Sequence, residues 1–298
     1  MKFIELFAGI GGFRLGLERH GHECVYASEW LERPASIYER NFGDKPDDRD
    51  IRDIDPNEIP EADLICGGFP CATFSIAGKR TGFSEEDTRG SLFFEICRFL
   101  RVKRTPYVFL ENVKGLLSSD NGRTFGVILF TLDSLGYDVQ WEVLNSSNFG
   151  VPQNRERVFI IGSLRGKPRP KVFPVGRIEG KDDEKVKRKQ KKQPGITQWR
   201  RGYFRDYKSR GTPTLTANMG TGGHNVPFVK EMDTGCEDIR KLTPLECERL
   251  QGLPDNFTKY NADGSIVSDS QRYERCGRTV TVNVIEAIAE KLGTDWYD

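Results

Sequence analysis

The sequence predicts a doubly wound α/β sheet joined to a smaller, mostly β and irregular region. Three observations predict it. Short apolar runs alternate with amphipathic stretches over the first 165 residues, and strands alternating with helices of that length are joined by parallel crossovers. The first apolar run ends in Phe7-Ala8-Gly9-Ile10-Gly11-Gly12, a turn that opens a helix and lets a ligand approach the backbone. The alternation then stops near Gly166, and helical spacing returns only at Leu242.

Each element follows from local pattern. Strands are expected at Lys2–Phe7, Glu23–Ser28, Ala62–Cys66, Tyr107–Leu110, Val139–Leu144 and Arg157–Ile161. Between them, Phe13–His20, Leu31–Asn41, Leu92–Val102 and Thr124–Leu135 carry helical spacing. Gly166–Pro174 is rich in Pro, Gly and basic residues, and Lys181–Gln193 is a charge run, the mark of a solvated linker. Helical spacing resumes at Pro244–Gln251 and Val280–Leu292. The organisation read from this is 1–165, 166–240 and 241–298, the last part returning to the first.

Composition narrows the function. The 298 residues are 30% charged, and no run approaches the roughly 18 apolar residues of a membrane helix. Seven scattered cysteines without a CxxC pair, and three histidines, argue against a zinc site or a disulfide framework. The expectation is a reduced, cytoplasmic chain with no metal and no membrane. Net charge is +1, so global charge does not announce a nucleic-acid binder.

Several residues stand where a ligand would bind. Glu29-Trp30 ends the second strand, and an acid about 20 residues after a glycine turn takes the ribose hydroxyls of a nucleotide-like ligand. Trp30 is either an adenine platform or a core aromatic. Asp50-Ile51 is placed to meet the adenine amine. The turn lacks the full G-x-G-x-x-G spacing, which favours an adenosyl over a dinucleotide ligand. Cys71 follows Phe69-Pro70, beyond the third strand, and is a candidate nucleophile; Cys66 inside that strand reads as a core thiol. Glu111 ends the fourth strand, either facing the same crevice or serving as a cap. Arg155 and Arg157, at alternate positions of an extended segment, point the same way, either to a phosphate or base oxygen or to surface acids.

Taken together, FAGIGGFRLGL, SEW, the Asp50 segment, GGFPCATFSIAG, DTRGSLFFE, ENVKGLL, NFGVPQNRERVFIIG, RKLTPLECERLQGLPD and CGRTVTVNV resemble, in order and spacing, the bacterial DNA (cytosine-5) methyltransferases of the restriction–modification kind. The resemblance covers nearly the whole chain outside about Gly166–Ser209. It implies a Rossmann-like methyltransferase sheet, S-adenosylmethionine (SAM) as cofactor, double-stranded DNA as partner and a monomeric enzyme. It implies Cys71 as the nucleophile that adds to cytosine C6, Glu111 on N3 and the exocyclic amine, and Arg157 with Arg155 on O2. Phe7, Gly9, Gly12, Glu29, Trp30, Asp50, Ile51, Phe69, Pro70, Leu92, Thr279 and Val280 would surround the cofactor. Ser75, in a closing loop, and Thr214, in the segment that begins target recognition, would contact DNA.

Two positions depart from the family pattern. Ala72 stands where Gln is usual after Pro-Cys, and Arg278 where Asn is usual after Gly277. A lost polar side chain and a gained cation near the transferred group suggest a larger, anionic donor, carboxy-S-adenosylmethionine, giving 5-carboxymethylcytosine. Alternatively, Arg278 turns outward to a phosphate or pairs with Glu274, and the donor is SAM. A tRNA methyltransferase and an inactive DNA-binding homologue are the remaining alternatives.

Overall fold

The computed structural model describes residues 1–70, 92–176, 195–200, 203–207, 211–220, 226–233 and 236–294. Strands β1 (Lys2–Leu6), β2 (Glu23–Ser28), β3 (Leu64–Gly68) and β4 (Tyr107–Val113) are parallel neighbours, in the spatial order β2-β1-β3-β4. Helices α1 (Gly12–Glu18), α2 (Glu32–Phe42), α3 (Leu92–Lys103) and α4 (Arg123–Ser134) follow the pattern read from spacing. Ligands of open α/β sheets bind beyond the carboxyl ends of the strands, where strand order reverses. Here that point lies between β1 and β3, so the glycine turn and the Phe69-Pro70 segment converge there.

The parallel run ends after β4. β5 (Tyr137–Asn145) is followed by the two-residue strand β6 (Gln153–Asn154) and by β7 (Glu156–Leu164), which lies antiparallel between β4 and β5. Residues 146–155 are too few for the dozen or more that a parallel crossover requires. The chain therefore returns as a hairpin. This antiparallel return sets Arg157 opposite Val113, with Glu111 two residues along the same strand.

Alternating side chains divide the core between the two faces. Ile4, Ile65, Val108 and Ile160 meet Phe93, Ile96 and Ile128 from α3 and α4. Phe3, Leu64, Phe109 and Ile161 meet Phe13 and Leu17 of α1 and the helix α7 (Val282–Thr294). The C-terminal helix thus lies beside the N-terminal one, with Ile285 directly against Gly16. Beyond β7, β8 (Gly195–Arg200), β9 (Tyr203–Asp206), β11 (Phe228–Asp233) and β12 (Cys236–Lys241) form an antiparallel sheet in the order β12-β11-β8-β9. β10 (Thr212–Pro213) pairs with β6.

Helix α5 (Pro244–Leu250) begins with a capping box between Thr243 and Glu246. Helix α6 (Asp269–Arg278) has no counterpart in the apolar pattern, because Arg272, Arg275, Cys276 and Gly277 make its buried face. A search for aliphatic spacing passes over such a helix.

One core group carries a pH dependence. Helix α1 has no side-chain cap at Gly11. Instead the backbone N–H of Arg14 donates to Oε1 of Glu5, on β1 below, at 3.3 Å. Glu5 is buried and its Oε2 has no hydrogen-bond partner among the described residues; burial raises its pKa from the ordinary 4.5 to about 8. The folded state then holds this proton more tightly than the unfolded chain. Its contribution to stability is present below pH 4.5 and is lost as pH rises to about 8. Thermal melts of Glu5→Gln should therefore lack much of the wild-type decline between pH 5 and 8. Equal slopes in both proteins would contradict this role for Glu5.

Candidate active site

A cavity of about 570 Å³ opens at the carboxyl ends of β1, β2, β3 and β4. Two neighbouring loops and the end of α6 complete its wall. All the residues predicted from sequence to surround a cofactor line it, from Phe7 to Val280, and so do Glu111, Arg155 and Arg157.

The glycine turn forms one wall. Phe7 adopts a left-handed conformation, φ 57°, at the exit of β1; for a non-glycine residue this is strained, at a cost of about 1–3 kcal/mol. A Cβ on Gly12 would lie 2.5 Å from Oγ1 of Thr279, so only glycine lets the C-terminal segment close over the turn. Gly9, φ +58°, faces open space, with nothing near the position of an added Cβ.

Glu29 ties this wall to the next. Its Oε2 accepts the Gly9 N–H and its Oε1 accepts the Leu31 N–H, each at 2.9 Å. Burial raises its pKa, and the two backbone donors oppose that shift. Each oxygen keeps a lone pair for a further donor. Beside it, Trp30 is 61% exposed, a flat aromatic face open at the mouth rather than a core residue. Asp50 pairs with Arg52, whose guanidinium holds its carboxyl down at about 2. Asp50 is thus an acceptor throughout the neutral range.

The opposite wall carries acid–base chemistry. The Nε of Arg157 stands 3.0 Å from Oε1 of Glu111, with both side chains largely buried. Nη1 of Arg157 also donates to the Glu156 carbonyl at 2.8 Å, which fixes the fork. Asn112, a residue sequence reasoning did not single out, holds the adjoining loop: its Nδ2 donates to the Phe69 carbonyl at 2.9 Å. Strand alternation was the available signal, since a polar neighbour of Glu111 must face the other way and find a partner there.

Arg155 lines the cavity but does a different task from the one expected. Its guanidinium is buried, and it donates to the carbonyls of Leu215 (2.8 Å), Gly277 (3.3 Å) and Thr279 (2.8 Å). Burial lowers its pKa and the Arg157 charge adds to the shift, while Glu111 opposes it. With its fork engaged by three carbonyls, Arg155 ties β6, the segment after β10 and the end of α6 together. It does not point to a base in parallel with Arg157.

Two other predicted positions also differ. Arg278 is 59% exposed and its Nε pairs with Oε1 of Glu274 at 2.9 Å. The hydroxyl of Thr214 donates to the Asn154 carbonyl at 2.7 Å, so its one proton secures the segment against β6 instead of awaiting a phosphate. Cys71, Ala72 and Ser75 lie outside the described residues. Pro70, which precedes Cys71 directly, lines the cavity.

The family described as C-5 cytosine-specific DNA methylase matches residues 1–198 and 178–294. The chain belongs to that family. It is 40% identical to the type II methyltransferase M.Bsp6I of Bacillus sp. (strain RFL6), with 98% of each chain covered. It is 37% identical to the type II methyltransferase M.HhaI of Haemophilus parahaemolyticus, over 99% of this chain and 94% of that one. Among solved structures, the Dnmt2 methyltransferase of S. pombe superposes with a TM-score of 0.72 at 19% identity, covering 98% of both chains. That likeness concerns the fold alone. As a member of the family, this methylase modifies cytosine C5 in DNA. Among the described residues, no helix is long and apolar enough to cross a membrane.

Proposed function

We propose that the cavity holds SAM against the glycine turn and presents a flipped-out cytosine to Cys71, Glu111 and Arg157. The observation that carries this reading is one cavity with two chemistries. A carboxylate bridging Gly9 and Leu31 stands on one wall, and a carboxylate paired with an arginine at 3.0 Å stands on the other.

The residues present fit the cofactor. The spare lone pairs of Glu29 suit two ribose hydroxyls. The exposed face of Trp30 suits adenine, and ionised Asp50 suits the adenine amine. Gly9 leaves room for close approach, and Thr279 and Val280 cover the turn from above. When bound, SAM supplies the electrophilic methyl group that C5 takes.

The protein's part is to make C5 nucleophilic. Cytosine C5 reacts poorly with an alkylating agent until a thiolate adds at C6, which splits one hard step into easier ones. The Cys71 sulfur forms that bond. The electron pair moves toward N3 and O2 of the ring. Glu111 delivers a proton to N3 and Arg157 stabilises charge at O2. The N3 proton returns to the Glu111 carboxylate, a base removes H5, and the C6–sulfur bond breaks to release the thiolate and restore the aromatic ring. In a duplex, stacking blocks attack on C6 from above the ring and base pairing occupies N3, so the cytosine must leave the stack.

The other cysteines support this assignment. Among the described thiols, burial pushes Cys24, Cys97 and Cys247 up to about 12, and Cys66 and Cys276 well above the ordinary value. None of the five lines the cavity, and the thiolate is the reactive form.

The same proposal includes double-stranded DNA as substrate, target recognition by residues 166–240, and a monomer as the working unit. SAM is the donor favoured by the geometry. Carboxy-SAM is suggested by Ala72 together with Arg278; Arg278 lines the cavity, but it pairs with Glu274 and is mostly exposed, the arrangement that leaves SAM as the donor. Nucleoside mass spectrometry of duplex DNA treated with the enzyme and both donors in competition tests this. The expected product is 5-methylcytosine. Dominant 5-carboxymethylcytosine would overturn the assignment of the donor, and unmodified DNA would overturn the proposed reaction.

A further inference from the structure

Helix α6 carries three arginines, and two of them have evident partners or exposure. Arg272 donates to Glu248 Oε1 at 3.0 Å and to Thr258 at 3.2 Å. Arg278 is exposed and paired with Glu274. Nη2 of Arg275 lies 3.6 Å from Oε2 of Glu274, an ion contact beyond good hydrogen-bond length, and the Arg249 guanidinium outside the helix is held by Asp255. The third, Arg275, is thus distinct: its side chain is only 7% exposed, its Nε is buried without a hydrogen-bond partner among the described residues, and it lines the cavity.

A guanidinium has five N–H donors and no acceptor. Burying it without hydrogen bonds is unfavourable, and among the described residues Arg275 donates none. An anionic oxygen entering the cavity would remove the deficit. The location says which one. The last turn of α6 runs into Thr279, whose hydroxyl lies against the glycine turn at Gly12. Arg275 lies within electrostatic reach of Glu29, with Arg33 and Arg278 also near it; with Trp30 and Asp50 at the adenine end and Glu29 at the ribose, the stretch from Arg275 to Thr279 and the glycine turn would take the amino-acid end of the cofactor. That end carries one negative group, its carboxylate. The ammonium and sulfonium are cations, which a guanidinium repels.

We infer that Arg275 is a cofactor-binding residue that receives the carboxylate of the SAM amino-acid moiety, with Glu274 as the counter-ion that aims it. This inference rests on the adenosyl reading of the cavity. It explains why α6 ends here with a buried arginine, and why Glu274 stands between Arg275 and Arg278.

Calorimetric binding of two ligands separates the outcomes. S-adenosylhomocysteine keeps the carboxylate; its decarboxylated analogue lacks only that group. For the wild-type protein, the first ligand should bind more tightly. Arg275→Gln should weaken S-adenosylhomocysteine binding by roughly tenfold to a hundredfold, the usual effect of losing a charge-assisted hydrogen bond. It should leave the analogue nearly unchanged, which also shows that the variant is folded. Arg275→Lys should recover part of the loss. A parallel loss for both ligands would overturn the inference in favour of a structural role. Unchanged affinity for both, with weaker duplex binding, would overturn it in favour of a DNA phosphate. Failure of the wild-type protein to bind either ligand would overturn the adenosyl reading itself, and that result appears without any substitution.

Discussion

Cys71→Ala is expected to reduce methyl transfer to background, a fall on the order of 10⁶, the size seen when a covalent nucleophile is removed from an enzyme. No other described cysteine is placed to substitute. Cys66, on β3, is buried inside the strand, and its thiol is shifted well away from ionisation. The substitution removes one sulfur and leaves every described residue of the cavity wall in place, so binding of S-adenosylhomocysteine and of duplex DNA should persist. Single-turnover transfer from labelled SAM, with both affinities measured in parallel, checks this. A Cys71→Ala protein that keeps a substantial fraction of the wild-type rate would contradict the covalent route.

Glu111→Gln is expected to cost about 10²–10⁴ in the rate of transfer, the range associated with a positioned general acid. The amide oxygen of Gln can still accept from Arg157, so the 3.0 Å contact between positions 111 and 157 has a neutral replacement. What Gln lacks is the proton that N3 requires as the sulfur adds at C6. The loss should therefore fall on kcat, with KM for DNA little changed. A rise in KM at unchanged kcat would instead make Glu111 a binding group. A loss of less than about tenfold would contradict its acid role.

Much of the fold was legible because its strands are short apolar runs with distinct ends. The register of β1, β2, β3 and β4 follows from the buried alternation of Phe3, Ile4, Leu64 and Ile65. The orientation of β7 was not legible from periodicity, which is the same in either direction; loop length carries that information. Helix α6 escaped notice because its buried face is made of arginine and cysteine.

The site divides along similar lines. Glu29 and Trp30 could be placed from the distance between a glycine turn and the next strand end. Arg155 could not, because alternation along a strand says which way a side chain leaves the backbone and not what it meets. Its acceptors come from residues 215, 277 and 279, far away in sequence. For Arg278 the sequence left two readings, a ligand contact or a pair with Glu274, and the structure shows the pair, one helical turn away. The buried Arg275 carried no sequence signal distinguishing it from its neighbours.

A covalent bond between Cys71 and cytosine C6 is the step on which the proposed reaction depends. Its most direct test is peptide mapping of the denaturant-resistant complex formed with SAM and duplex DNA carrying 5-fluorocytosine, whose fluorine cannot be removed as H5 is. A single cross-linked peptide is expected, with the nucleotide attached to Cys71. Attachment to another cysteine, or completed methyl transfer to ordinary cytosine with no trapped complex on the fluorinated duplex, would contradict it.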